Sequence, residues 1–546
     1  MRSGCTIEHS ARRSVDLAFR QSRGRAAFRP TPDKAFMTNS QHRDRPTADT
    51  QTAAAAARAV EPERTTTKGL AATITALVLS AMIMILNETV LSVALPNLMA
   101  DFQVDATTAQ WLTTGFLLTM SVVIPTTGFL LQRFTTRRLF IVALLLFIAG
   151  TVLATVAPTF SVLLLARVIQ AGGTAIILPL LMTTTLTSVP VAYRGTIMGL
   201  NAVVISVAPA IGPTLSGIVL NALDWRWVFG LMIPVALIVF IVGVIAIRTS
   251  GETRKAPLDA LSVVLSALAF GGIVYALSSI GEMIQGAWGP IVALVIGAIA
   301  LAVFIARQSA LRAKGSVLLD LRPFAVHNFR ISVSMLMLLM GTLLGTVMVI
   351  PIFLQNGKGL SVLTIGLLLL PGGLVQGIIS PLIGRLYDKV GPRPIVIPGA
   401  FMLAGGQWWL STVQVDTPLG LIVAMHVVFS IGFGMLMTPL MTTALSSLPR
   451  ELYGHGSAIV NTLQQLGGAA GTAILIATMT IGTTLAATAG LGVAESLVSG
   501  TEKAFFVGGV LGLVAIVCSF FVKNLPTAPD AAPAEAEAQR PASVDA

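Results

Sequence analysis

The chain has 546 residues, 54% of them hydrophobic and only 11% charged, and its mean hydropathy is +0.84. A soluble globular chain carries about 25% charged residues, so too little charge is present to coat a soluble surface. A soluble domain, a disordered or collagen-like chain and a disulfide scaffold are all excluded, the last because Cys5 and Cys518 are the only cysteines. The net charge of +11 would point to nucleic acid on a soluble domain, but basic loops beside membrane helices follow a rule of their own. The composition is that of an all-α polytopic membrane protein.

A membrane helix needs roughly 20 mostly apolar residues to cross about 30 Å of hydrocarbon. Runs of that kind fall near 70–95, 107–131, 139–157, 160–186, 196–220 and 226–248. Two more lie near 257–280 and 288–308, and six near 329–354, 364–386, 394–413, 418–447, 456–482 and 503–521. They lack the alternation of barrel strands, so the expectation is fourteen transmembrane helices.

Residues 1–68 read as a disordered basic tail in which Met37 is an alternative start, and 524–546, rich in Ala, Pro and Glu, as a second disordered tail. Between them the expected units are a six-helix bundle at 69–250, a two-helix insert with linkers at 251–325 and a second six-helix bundle at 326–523.

Charge sets the expected orientation. With the N-terminus inside, the inner loops hold Arg133, Arg137, Arg138, Arg194, Arg248, Arg254, Lys255, Arg307, Arg312, Lys314, Arg322, Arg330, Arg385, Lys389, Arg393 and Arg450. The outer loops hold Arg226, Lys358 and Lys503. That bias puts both termini in the cytoplasm, accounts for most of the net charge as topology, and removes nucleic acid as a partner.

An internal repeat of about 256–260 residues runs through the helical region. Gly128-Phe-Leu-Leu-Gln-Arg133 matches Gly384-Arg-Leu-Tyr-Asp-Lys389, the segment from Pro179 matches that from Pro439, and Gly195 falls on Gly454. Two related six-helix halves around a central axis are how many secondary transporters place a site near the midplane, and they favour a transporter over a receptor or scaffold.

The motifs carry a resemblance. Gly384-Arg-Leu-Tyr-Asp-Lys-Val-Gly-Pro-Arg393 resembles the loop signature of the major facilitator superfamily, and Arg167-Val-Ile-Gln170-Ala-Gly-Gly173 its fourth-helix signature. Ala208-Pro209-Ala-Ile-Gly212-Pro213-Thr-Leu-Ser-Gly217 resembles the fifth-helix antiporter signature. Leu86 to Pro96 and Trp225-Arg226-Trp227-Val228-Phe229 resemble the fourteen-helix drug:proton antiporter branch. The resemblance implies two six-helix bundles plus two inserted helices. It also implies a monomeric plasma-membrane antiporter that exports lipophilic or amphipathic compounds by alternating access, driven by the proton motive force without a cofactor or metal. The competing readings are a dedicated exporter of one metabolite or lipid, an uptake symporter, or a channel. No nucleotide loop, metal cluster or catalytic triad pattern points to an enzyme.

A charged side chain in hydrocarbon costs about 2.5–3.5 kcal/mol on insertion scales and is a functional candidate by default. Two stand well inside the helices, Glu88 and Arg167. Glu88 lies eight residues before Pro96, about 12 Å deep, and Arg167 seven after Phe160, about 10 Å deep, at 1.5 Å per residue. Burial favours the protonated form of a carboxyl, which makes Glu88 the expected proton carrier, with Arg167 exchanging partners beside it. The alternative is a static Glu88–Arg167 ion pair between two helices.

Gln170 sits one turn from Arg167 and is placed to orient its guanidinium. His426, at the repeat position of Arg167, is a second proton-carrier candidate. Asn87, Gln376, Asn461, Gln464 and Gln465 are candidates for the cavity wall or for interhelical hydrogen bonds, and Trp111, Phe116 and Phe129 for its apolar part. Gly212, Pro213 and Gly217 imply close helix approach and a bend.

In the loop signatures, an acid at a helix N-terminus serves as a latch. The second copy keeps it as Asp388, beside Lys389, Gly391 and Arg393. The first copy, with Gly128, Arg133 and Arg137, has Gln132 in its place and is expected to latch more weakly.

Overall fold

Long apolar runs fold as helices here because only a helix satisfies every backbone group within its own segment in hydrocarbon. The computed structural model describes residues 67–247, 259–284, 286–312 and 317–524. Apart from the residues that open the first helix and Asn524, the expected tails lie outside these, with Cys5, Met37, Arg248, Arg254, Lys255 and Lys314.

In chain order the first half holds α1 (Thr67–Phe102), α2 (Ala106–Arg133), α3 (Thr136–Thr155), α4 (Phe160–Ser188), α5 (Arg194–Ala222) and α6 (Arg226–Ala246). Then come α7 (Ala260–Ser278) and α8 (Trp288–Leu311). The second half holds α9 (His327–Gly357), α10 (Val362–Val390), α11 (Arg393–Leu410), α12 (Leu419–Ser446), α13 (Tyr453–Thr488) and α14 (Val493–Ser519). By length and apolar content 12 of them suffice to cross a membrane. α5 and α11 fall outside that measure and stand where the fifth and eleventh spans were expected.

Helix starts follow local chemistry. Asp105, Thr135, Thr159 and Ser361 each accept a hydrogen bond from the backbone N–H three residues on, capping α2, α3, α4 and α10. Gly391 ends α10 with φ +76°, a conformation that favours glycine. One expectation needs correction: the first helix does not stop near 95 but runs through Pro96 to Phe102. Proline is tolerated inside a packed membrane helix, where neighbours satisfy the freed carbonyl.

The two halves pack alike. α1 lies on α5 as α9 lies on α13, and α2 on α4 as α10 on α12. α3 meets α4 and α6 as α11 meets α12 and α14. Two seams join the halves, α5 against α10 and α2 against α13. α7 packs over the second seam, touching both α2 and α13, and α8 packs on α7. α8 turns Val292, Val295, Ile299 and Val303 outward, a face suited to lipid.

The insert is pinned by charge. The Arg307 guanidinium donates to both oxygens of Asp259, Nε to Oδ2 at 2.8 Å and Nη2 to Oδ1 at 2.9 Å. Gln308 donates to Ser262 Oγ at 2.7 Å and accepts from the N–H groups of Leu318 and Leu319 at 2.9 and 3.2 Å. The linker is thereby tied to α7 and α8.

Candidate functional site

Polar side chains concentrate where α1, α2, α3 and α4 meet. Arg167 on α4 is wholly buried. Its Nη1 donates to Gln170 Oε1 at 2.9 Å, its Nε to the Leu112 carbonyl at 3.5 Å, and its guanidinium lies 4.1 Å from the Phe116 ring centroid. A buried charge is tolerable only when such donors are met, and a desolvated guanidinium over a ring gains roughly 0.5–2 kcal/mol. Gln170 Oε1 also accepts from Asn87 Nδ2 at 3.2 Å, and Gln170 Nε2 donates to Thr151 Oγ1 at 3.0 Å. Gln170 thus ties α4 to α1 and α3, and Arg167 extends the network to α2.

Glu88 is half-buried and feels the charge of Arg167, yet no ion pair joins the two among the described residues. The static pair considered above is not formed; Arg167 is held by Gln170, a carbonyl and a ring instead. Helix geometry sets the direction of Glu88. Asn87 reaches α4 through Gln170, and Thr89 meets α5, where a Cβ on Gly212 would strike its hydroxyl. At about 100° per residue, Glu88 lies on the arc of α1 between Asn87 and Thr89. The opposite face of α1, with Ile83, Leu86 and Val90, borders a cleft of about 260 Å³ completed by α5 and α6.

The second half lacks this hub. His426, at the Arg167 position, is buried and stacks on Phe429, where the first half has Gln170. Its ring lies against Gly372, and Nδ1 has no hydrogen-bond partner. Gln376 is buried with Nε2 unpartnered, Asn461 donates to the Ser457 carbonyl at 2.8 Å, and Gln464 contacts Met437 sulfur at 3.8 Å. Gln465 contacts Met120 sulfur at 3.9 Å, across the α2–α13 seam. These residues do not converge with Glu88 in one hydrogen-bonded group. Of the apolar candidates, Phe116 holds Arg167, Phe129 lies beside Arg133, and Trp111 stacks on Tyr275 of the insert. Among the described residues no group of three or more His, Cys, Asp and Glu side chains offers a metal site.

The signature loops meet the opposite half. Asp388 Oδ1 accepts from the Gly195 N–H at 2.7 Å, and Oδ2 accepts from the Thr196 N–H at 2.8 Å and hydroxyl at 2.6 Å. A carboxylate therefore sits on the N-terminus of α5, where the helix dipole favours it. A Cβ on Gly384 would strike Gly195, so glycine is required for this approach. At the other seam Gly128 lies against His455, and Gln132 forms no hydrogen bond among the described residues. Lys389 and Arg393 are exposed and Arg137 half-buried with Nε unpartnered. In the fifth-helix motif the backbone stays helical through Pro209 and Pro213. A Cβ on Gly217 would meet nothing nearer than Leu363 at 3.7 Å.

Sequence reasoning missed Thr151 and the Leu112 carbonyl, whose roles carry no pattern. It also missed Arg194, which donates to Tyr453 Oη at 3.2 Å; the repeat offset was the signal that pointed to that pair.

Two related helical bundles, the first with a buried charged hub, define a polytopic membrane protein of the transporter kind. The sequence model of the Major Facilitator Superfamily matches residues 77–472, and the chain belongs to that family. The uncharacterized MFS-type transporter YcnB of Bacillus subtilis is 40% identical over 448 residues, covering 82% of this chain and 94% of the relative. The lincomycin resistance protein LmrB of Listeria monocytogenes is 39% identical over 456 residues, covering 83% and 96%. The multidrug export protein EmrB of Haemophilus influenzae is 28% identical over 402 residues, covering 73% and 78%. The fold matches that of the proton:xylose symporter XylE, with TM-score 0.59 and 17% identity, covering 84% of this chain and 96% of that one.

Proposed function

We propose that the protein is a proton-coupled antiporter of the plasma membrane that exports lipophilic or amphipathic compounds by alternating access. The observation that carries this reading is the separation of Glu88 from Arg167. Among the described residues the carboxyl has no ion-pair partner, while the guanidinium is held by Gln170, the Leu112 carbonyl and Phe116. An unpaired carboxyl in a low-dielectric site is able to take up and release a proton. Relatives named for lincomycin resistance and multidrug export support the direction and the substrate class. With both termini in the cytoplasm, the end carrying Gly128 and Gly384 faces inward and is closed by the Asp388 cap.

The test is efflux from cells or vesicles under an imposed proton gradient. Glu88→Gln should abolish uphill export and leave downhill exchange of substrate. Gradient-driven export that survives intact in this variant sinks the proposal.

A further inference from the structure

Corresponding repeat positions face one another at the two seams, and two of them differ in chemistry. At the α5–α10 seam, a Cβ on Gly384 would come within 3.1 Å of Thr196 Cα; at the α2–α13 seam, one on Gly128 would come within 3.3 Å of His455 Cα. Thr196 and His455 are the same repeat position, one residue after Gly195 and Gly454. At the first seam the Thr196 hydroxyl and two N–H groups hold the Asp388 carboxylate. At the second, an ionisable imidazole replaces the hydroxyl and the neutral Gln132 replaces the acid. His455 is 2% exposed, and its Nδ1 is unpartnered and would lie 2.7 Å from a Cβ on Gly128.

We propose that His455 is a proton-binding site in the α2–α13 seam, and that its protonation opens this seam. Closed, the seam buries the ring with no carboxylate at the latch position, which holds Gln132. A buried cation without a counter-ion is costly, so a proton on the imidazole favours the open seam, where water reaches it.

The charged groups of the surrounding elements do not supply the missing partner. Arg133 ends α2, and Arg194 is hydrogen-bonded to Tyr453; both are cations, as is Arg330 on α9, where His327 contacts the Phe521 carbonyl. Asp320 acts on His455 but is bound by Arg322, with Nε at 2.7 Å and the backbone N–H at 2.9 Å. Glu451 is taken by the same guanidinium at 3.1 Å. The proposal rests on the two bundles separating at this end, not on Glu88.

The experiment uses the full chain in nanodiscs with Cys5 and Cys518 replaced by Ser, and spin labels at Phe134→Cys and Arg450→Cys. Distances are measured from about pH 8 to about pH 5, the range of histidine titration. Lowering the pH should lengthen the seam distance, the open-to-closed ratio rising up to about tenfold per pH unit, as one linked proton requires. Repeating the series with Glu88→Gln should give the same response, which separates this site from the coupling carboxyl. His455→Thr, its repeat counterpart, and His455→Gln should flatten the response. Gln132→Asp, by giving the imidazolium a counter-ion, should keep the seam closed at low pH. A parent without pH response overturns the proposal, as does a response unchanged in both His455 variants or in Gln132→Asp, or one that vanishes with Glu88→Gln.

Discussion

Arg194 and Tyr453 occupy the same position in the two repeats, 259 residues apart, and they touch. The guanidinium Nη1 donates to the phenol oxygen at 3.2 Å while the cation lies 5.6 Å from the ring centroid. Repeat-related residues meet only on the axis that relates the halves, so this contact marks the pseudo-twofold at the end carrying the signature loops. In the alternating-access reading proposed above it belongs to the closed arrangement alone, because it bridges the two halves.

Tyr453→Phe should therefore favour the open form of this end. It keeps the ring and removes one hydrogen bond from a charged donor, worth about 1.5–3 kcal/mol, which corresponds to a population shift of roughly tenfold or more. Ser457, buried in the same seam and accepting from Thr183 Oγ1 at 3.2 Å, reports it. A Ser457→Cys thiol should react with a maleimide correspondingly faster in the Tyr453→Phe background, and equal rates would show that the axial contact carries no gating energy.

The glycines of the fifth-helix motif should separate under substitution. Gly212→Ala drives a methyl into the Thr89 hydroxyl and Cβ, forcing α1 and α5 apart beside Glu88, at an overpacking cost of about 1–3 kcal/mol. Gly217→Ala meets only Leu363 at ordinary contact distance. Export should fall severalfold in the first variant and stay near parental in the second. Equal losses would assign the motif a role other than helix approach.

These contacts show where the sequence was readable and where it was not. Helix positions follow from apolar length, the repeat from matched motifs, and Asp388 at a helix N-terminus from dipole chemistry, since each rests on local pattern. The extension of α1 past Pro96 was hidden because a proline that ends an isolated helix is held inside a packed one. The partners of Arg167 were hidden for another reason: a backbone carbonyl, a ring and a threonine look alike in sequence whether or not a guanidinium reaches them.

Gln170 should act through the two charges. Gln170→Leu removes the acceptor shared by Arg167 and Asn87, and the freed guanidinium then turns to Glu88, the nearest acid. Export should fall about tenfold, and in the Glu88→Gln background, read by the downhill exchange that remains there, Gln170→Leu should cost nothing further, the non-additivity expected of groups in one network. Strictly additive losses would show that Gln170 serves packing instead.

The clamp on the insert has its own pH signature. Arg307 and Ser262 hold the Asp259 carboxyl well below the usual carboxylate range, chiefly through the Arg307 hydrogen bonds. A group whose folded value is depressed stabilises the fold above its unfolded value, about 3.9, and loses that contribution as pH falls through the folded value. Asp259→Asn should lower the melting temperature at neutral pH, with the difference from the parent narrowing below about pH 4. A constant difference across that range would mean that the carboxylate charge is not what holds α7 to α8.

Substrate charge follows from where the ionisable groups stand. Away from the helix ends the first half supplies one acid among the described residues, Glu88, which feels the charge of Arg167; the second offers His426 stacked on Phe429, with the neutral Gln376, Asn461 and Gln464. A divalent cation leaving water needs more than one carboxylate to offset its desolvation, whereas a neutral or singly charged lipophile needs one at most. Expression in a pump-deficient host should raise resistance to lipophilic monocations and neutral compounds severalfold, leave resistance to matched dications unchanged, and lose the gain when a protonophore collapses the gradient. Equal protection against dications would require a second acid in the path and would contradict a cavity built around Glu88 alone.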